Sequence, residues 1–143
     1  MADILHNVYI YASIKQVFQS ISTGEEIAKW WAKRSTGVAI KGNIFNLYFT
    51  DEYDWNAELI EVTENLKCEW KMIKADDDWL NTQFGFQLSE RQGVTVVEFH
   101  HTGWLKTNEH FKRTSYCWAM YLQLLKTYVE TGEITLFEDR IFT

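Results

Sequence analysis

The stretch Asn108-Glu-His-Phe-Lys-Arg-Thr-Ser-Tyr-Cys-Trp-Ala-Met-Tyr-Leu-Gln-Leu-Leu-Lys-Thr-Tyr-Val-Glu-Thr-Gly132 decides the architecture. Within it Phe111, Ser115, Trp118, Leu122, Leu125 and Val129 recur at three- and four-residue intervals, the spacing of one helix face. Tyr121, Leu124 and Tyr128 widen that stripe beyond an ordinary half-buried helix. Thr107 or Asn108 can offer a side-chain oxygen to the free amides of the first turn, and Gly132 can take the left-handed conformation that ends the last. The pattern predicts the longest element of the chain, ending near Thr131. A helix this apolar needs a long apolar surface to enclose it.

The preceding residues supply that surface. From Gly37 to Thr102 apolar and polar residues alternate in runs broken by turn signals at Lys41-Gly-Asn43, Thr50–Glu52, Thr63-Glu-Asn65, Ala75–Asp78 and Glu90–Gly93. The breaks imply about six hairpin-connected strands. Because successive side chains of a strand point to opposite faces, one face gathers Tyr53, Trp55, Ala57 and Leu59, then Leu66, Cys68, Trp70 and Met72, then Thr82, Phe84, Phe86 and Leu88, then Thr95, Val97, Phe99 and His101. The opposite face carries Asp54, Asn56, Glu58, Lys67, Glu69, Lys71, Gln83, Gln87, Glu98 and His100, as expected of an antiparallel sheet with one wet side.

Upstream, Ile4–Tyr11 is rich in β-branched and aromatic residues and reads as a further strand. Ser13 is placed to cap a short helix whose apolar residues are Ile14, Val17, Phe18 and Ile21. After Ser22-Thr-Gly24 a second short helix is predicted to carry Ile27, Trp30 and Trp31. The class is α+β, with a curved antiparallel sheet wrapped around the C-terminal helix and the short helices closing one end. No linker or repeat divides the chain, so residues 1–143 read as one domain.

Composition narrows the function classes. A chain of 143 residues buries roughly two-thirds of its unfolded surface and can build one real core. The net charge of −6, with no basic run longer than Lys33-Arg34 or Lys112-Arg113, makes nucleic acid and anionic membrane poor partners. The N-terminus has neither the basic start nor the apolar run of a secretory signal, and no stretch is apolar enough for a span, so a cytoplasmic location without membrane insertion is expected. Cys68 and Cys117 have no CxxC or His-rich setting and read as reduced, buried thiols. The run Asp76-Asp-Asp78 lacks the spaced ligands and later glutamate of a calcium loop and reads as a solvated turn. No nucleophile elbow, phosphate loop, dinucleotide fingerprint or zinc-protease motif is present. No catalytic residue, metal ligand or cofactor is therefore assigned.

The order strand, two short helices, about six strands, long helix accompanies several local phrases. These are Ser13-Ile-Lys-Gln-Val-Phe18, Glu26-Ile-Ala-Lys-Trp-Trp31, Phe99-His-His-Thr-Gly-Trp104, and Trp118, Leu122 and Leu125 leading into Lys126-Thr-Tyr-Val-Glu-Thr-Gly132. Together they resemble the START-like, or SRPBCC, superfamily, in the branch similar to the C-terminal domain of the activator of the heat-shock protein 90 ATPase. The resemblance implies a helix-grip fold of the START and Bet v 1 type, with an internal cavity that the superfamily uses for lipids, polyketides, hormones and other apolar molecules. It does not imply one activity. The additional N-terminal domain of the co-chaperone is not expected from this sequence, which weakens any direct transfer of chaperone activation.

Rings from all three regions are candidates to line such a cavity: Trp30, Trp31, Trp55, Trp70, Phe84, Phe86, Trp104, Trp118 and Tyr121, with His101 as a polar anchor. The competing expectation is that these rings fill one another's space, and that His101 is a neutral histidine bonded to backbone near Gly103. His100 and His110 read as surface residues and His6 as part of a frayed terminus. The expected function is binding of a small hydrophobic or amphipathic molecule by a monomer or homodimer. The alternatives are a protein-interaction module resembling the chaperone activator, working through the acidic sheet face, and a cyclase-like or hydrolase-like enzyme.

Overall fold

The structure is a computed structural model and describes residues 1–140; the last three residues of the 1–143 span lie outside the described residues. Seven strands form one antiparallel sheet in the order β1-β7-β6-β5-β4-β3-β2. They are β1 (Ala2–Ile10), β2 (Arg34–Thr36), β3 (Ile44–Tyr48), β4 (Asp54–Thr63), β5 (Lys67–Lys74), β6 (Gln83–Arg91) and β7 (Val94–Trp104). Between β1 and β2 lie α1 (Ile14–Ile21) and α2 (Gly24–Ile27), and α3 (Glu109–Thr131) follows β7.

The local signals have the expected causes. Ser13 caps α1 in a reciprocal box with Gln16. Asn108 Oδ1 accepts from the Phe111 amide at 3.0 Å at the start of α3, and Gly132 ends that helix at φ 80°. Gln92 and Gly93, both at positive φ, make the tight turn between β6 and β7. Register shifts in the β4–β5 ladder, between Asn56 and Ala57 and between Leu59 and Glu61, bend the sheet so that its inner face turns concave.

That inner face is the one read from alternation: Trp55, Ala57, Leu59, Cys68, Trp70, Met72, Phe84, Phe86, Leu88, Val97, Phe99 and His101 are all buried. Trp118, Leu122 and Leu125 of α3 are buried against it. Two members of the expected face are exposed, because Tyr53 and Leu66 sit in turns just outside β4 and β5, where alternation has not begun.

The edge strand differs from expectation. β2 lies before Gly37, and residues 38–43 leave the sheet. Gly37, at φ 146°, passes against the ring of Phe45 where a Cβ would collide, and its carbonyl accepts from the Gly24 amide. The chain is thus held by α2 instead of continuing as a strand, and Val38 and Ile40 are exposed. Trp30 and Trp31 lie in the turn that follows α2, not in the helix. His6 is not frayed: its ring lies against Phe99, and its Nε2 is 3.2 Å from the Ser115 carbonyl of α3.

Candidate functional site

α3 does not fill the concave sheet along its whole length. Near its N-terminal half a cavity of about 640 Å³ opens between α3, the end of the β3–β4 hairpin and the β5–β6 loop. Four tryptophans, Trp31, Trp55, Trp79 and Trp118, contribute to its wall, joined by Phe49, Tyr53, Tyr121 and Phe137. Thr50, Asp76, His110, Arg113, Thr114 and Cys117 add polar groups.

Trp118 projects from α3 onto the sheet, where its ring centre lies 4.3 Å from Phe99 and 4.6 Å from Trp31. Its Nε1–H donates to His101 Nδ1 at 3.1 Å. An indole nitrogen can only donate, so this contact makes Nδ1 the acceptor and places the histidine proton on Nε2. That proton points at Thr82 Oγ1, 2.8 Å away, and the Thr82 hydroxyl donates in turn to the Trp79 carbonyl at 2.6 Å. The chain of bonds ties the helix to β7 and to the loop that carries Trp79. His101 is neutral and satisfied, but by side chains of two other elements, not by backbone near Gly103. Burial is the main cause that pushes its pKa down to about 3, with the nearby His100 and His110 adding to it.

The β5–β6 loop, Ala75–Thr82, is the wall opposite the helix. It is fastened to the start of α3 through Asp78, whose Oδ2 accepts from His110 Nδ1 at 3.0 Å and from Asn108 Nδ2 at 3.3 Å. The hydrogen bond from His110 holds the Asp78 carboxyl below its ordinary range. Asp76-Asp-Asp78 is therefore not simply a solvated turn, since Asp76 faces the cavity and Asp78 anchors its wall. His110, read as a surface residue, also lines the cavity. On the outer sheet face His100 Nε2 pairs with Glu69 Oε1 at 2.5 Å.

The ten ring and histidine candidates divide in two. Trp31, Trp55, Trp118 and Tyr121 line the cavity. Trp30, Trp70, Phe84, Phe86, His101 and Trp104 form the layer behind it. Trp30 donates from Nε1 to the Ser20 carbonyl at 2.9 Å beneath α1. Trp70 and Phe84 stack at 5.1 Å on the sheet, and Trp104 lies 5.4 Å from Phe111 at the foot of α3. Three buried indole nitrogens, those of Trp70, Trp79 and Trp104, have no hydrogen-bond partner among the described residues, and of these Trp79 borders the cavity. Trp79 had a readable signal: a lone tryptophan in the polar run Asp76–Asn81 must bury its ring somewhere.

Chemically the lining offers apolar contact and hydrogen bonds. Burial raises the Cys117 thiol above its ordinary value against an opposing pull from Arg113. It pushes the Tyr121 phenol up to about 12. Both groups are thus protonated at neutral pH and His101 is uncharged, so none of the three is tuned as a nucleophile or base. Among the described residues no three His, Cys, Asp or Glu side chains group closely enough to hold a metal ion, and no helix is long and apolar enough to cross a membrane.

The sequence model of the family described as Activator of Hsp90 ATPase homolog 1-like protein matches residues 11–130. No curated protein matches the chain. Among solved structures the chain is similar to the Aha1 dimer from Colwellia psychrerythraea, with 25% identity and a TM-score of 0.85 over 93% of this chain and 99% of that one. It is also similar to a protein from Staphylococcus saprophyticus, with 20% identity and a TM-score of 0.77 over 94% of this chain and 96% of that one. CalU16 from Micromonospora echinospora shares 16% identity and a TM-score of 0.73 over 93% of this chain and 76% of its own. The match from Tyr11 to Glu130 takes in both short helices, six of the seven strands and nearly all of the C-terminal helix, so the chain belongs to the Activator of Hsp90 ATPase homolog 1-like protein family and has its START-like helix-grip fold.

Proposed function

We propose that this protein binds a small apolar or amphipathic molecule in the cavity between its sheet and α3. The observation that carries the reading is the cavity's wall: a space of about 640 Å³ faced by four tryptophans has the size and the apolar character of small-molecule sites. Its polar groups, among them Thr50, Asp76, His110 and Thr114, stand at defined points between the rings, as orientation of a ligand requires. The protonated Cys117 and Tyr121 and the neutral His101 favour holding over converting.

Native mass spectrometry of freshly purified protein, together with titration of a medium-chain fatty acid or an apolar dye followed by tryptophan fluorescence, tests this. Saturable quenching at micromolar ligand, weakened when Trp79→Leu narrows the aromatic wall, is the expected result. Absence of both a co-purified molecule and any saturable binding would leave the cavity without this role.

A further inference from the structure

We propose that the segment Glu133–Arg140 is a strap that covers one side of the cavity mouth and gates passage into it. Gly132 turns the chain back at the end of α3. Five extended residues cover about 16 Å, the rise of about eleven helical residues, which brings Phe137 level with Tyr121. There Phe137 becomes part of the cavity wall, its ring centre 6.5 Å from Phe49 of the β3–β4 hairpin. A short turn, Phe137–Asp139, then presents Arg140 to the body of the protein. Arg140 Nη1 donates to the Trp31 carbonyl at 2.6 Å, Nε donates to the Thr135 carbonyl at 3.0 Å, and the guanidinium lies 5.5 Å from the Phe137 ring centre. Arg140 therefore both fastens the strap to the protein and braces it internally.

The way the strap is attached makes it the first part to open. Among the described residues its backbone bonds, Asp139 to Leu136 and Arg140 to Phe137, stay within the segment, and none joins residues 134–140 to the sheet or to α3. Ile134 and Leu136 are exposed, at 44% and 56%. Segments with little burial and no ladder bonds open at far lower cost than the core. Among the described residues, release withdraws Phe137 from the cavity wall and parts Arg140 from the Trp31 carbonyl. Trp31, held by Trp118 and Phe84, stays behind as the fixed post of the latch.

The strap gives the cavity reading its gate, but it has a test that needs no ligand. Cys117 lines the cavity and is partly buried, whereas Cys68 is buried in the sheet. N-ethylmaleimide labelling of the full-length protein, resolved by peptide mass spectrometry, compares wild type with Arg140→Ala and Phe137→Ala. The expected result is that Cys117 labels about tenfold faster in Arg140→Ala, the factor for losing one charged hydrogen bond, while Cys68 stays unreactive. Unchanged Cys117 labelling in both variants, or Cys68 accelerating in step with it, overturns the strap. In a second arm, stopped-flow binding of anilinonaphthalene sulfonate should show association and dissociation rates rising together in Arg140→Ala with a much smaller change in Kd. Rates that match wild type speak against gating. Failure of wild type to bind any apolar probe removes the binding reading, and the labelling arm still decides whether the strap opens.

Discussion

The indole nitrogen of Trp118 donates to Nδ1 of His101, and this bond joins the wall of the cavity to strand β7 of the sheet. It decides which nitrogen of the histidine carries its proton, and through Thr82 it reaches the backbone of the loop that presents Trp79. Ring positions on both sides of the cavity thus depend on one uncharged imidazole.

That dependence predicts how stability varies with pH. An unfolded histidine titrates near ~6.5, whereas folded His101 is held at about 3 by burial. As pH falls between these values the unfolded chain takes up a proton that the native state refuses. The contribution of His101 to stability is therefore complete above the unfolded value and is lost progressively below it, at up to about 1.4 kcal/mol per pH unit. Urea unfolding of wild type and His101→Gln at stepped pH measures this, and the variant should show a shallower acid-side slope. Parallel slopes would mean that His101 is not neutral and buried in solution.

Trp118 is fully buried and touches rings from β6, β7 and the turn after α2. Although one side of it borders the cavity, most of its surface is packed. Trp118→Ala should therefore cost about 3–5 kcal/mol, the range for truncating a core aromatic. A loss of less than about 1 kcal/mol in denaturant titration, the scale of a peripheral site, would show that the ring lines space instead of filling it.

Gly85 stands directly between Glu69 and His100 on the outer sheet face, paired with both across neighbouring strands. A Cβ there would meet the Glu69 carboxylate and the Cys68 carbonyl. Its absence is what lets the Glu69 side chain reach His100 at 2.5 Å. Because a backbone carbonyl cannot move aside as a side chain can, Gly85→Ala should destabilise by about 1–3 kcal/mol. Thermal unfolding indistinguishable from wild type would contradict the close approach.

The charge of −6 predicts no affinity for duplex or single-stranded nucleic acid at physiological salt. Electrophoretic mobility of labelled oligonucleotides should be unaffected at low micromolar protein. A shift that weakens with added salt would reveal a basic surface stronger than Lys112, Arg113 and their neighbours provide.

Much of this was legible in residue order. The alternation of Trp55, Ala57 and Leu59, or of Phe84, Phe86 and Leu88, is a property of each strand's own backbone, so the buried face could be read without knowing what covers it. The stripe through Trp118, Leu122 and Leu125 is likewise local to α3. Phe49, Trp79 and Phe137 were missed because they lie at a strand end, in a loop and in the strap, where no period marks the inward side. The edge strand β2 lies at Arg34–Thr36, before the expected start at Gly37: Val38 and Ile40 look like a strand, whereas the contact of Gly37 with Phe45 and its carbonyl's bond from the Gly24 amide turn the chain away.

The sequence by itself determined the order of elements, the inner and outer faces of the sheet and the helix that the sheet grips, because each follows from short-range periodicity and capping. Only the tertiary structure decided which rings border empty space and which support them. Trp70 and Phe84 obey the same alternation as Trp55, yet they lie behind the cavity and Trp55 lines it. The difference comes from the β5–β6 loop tethered through Asp78 and from the strap held by Arg140, two segments that bound the cavity by contacts with distant parts of the chain. Such contacts are set by the closure of the whole fold, and no spacing along the chain encodes them.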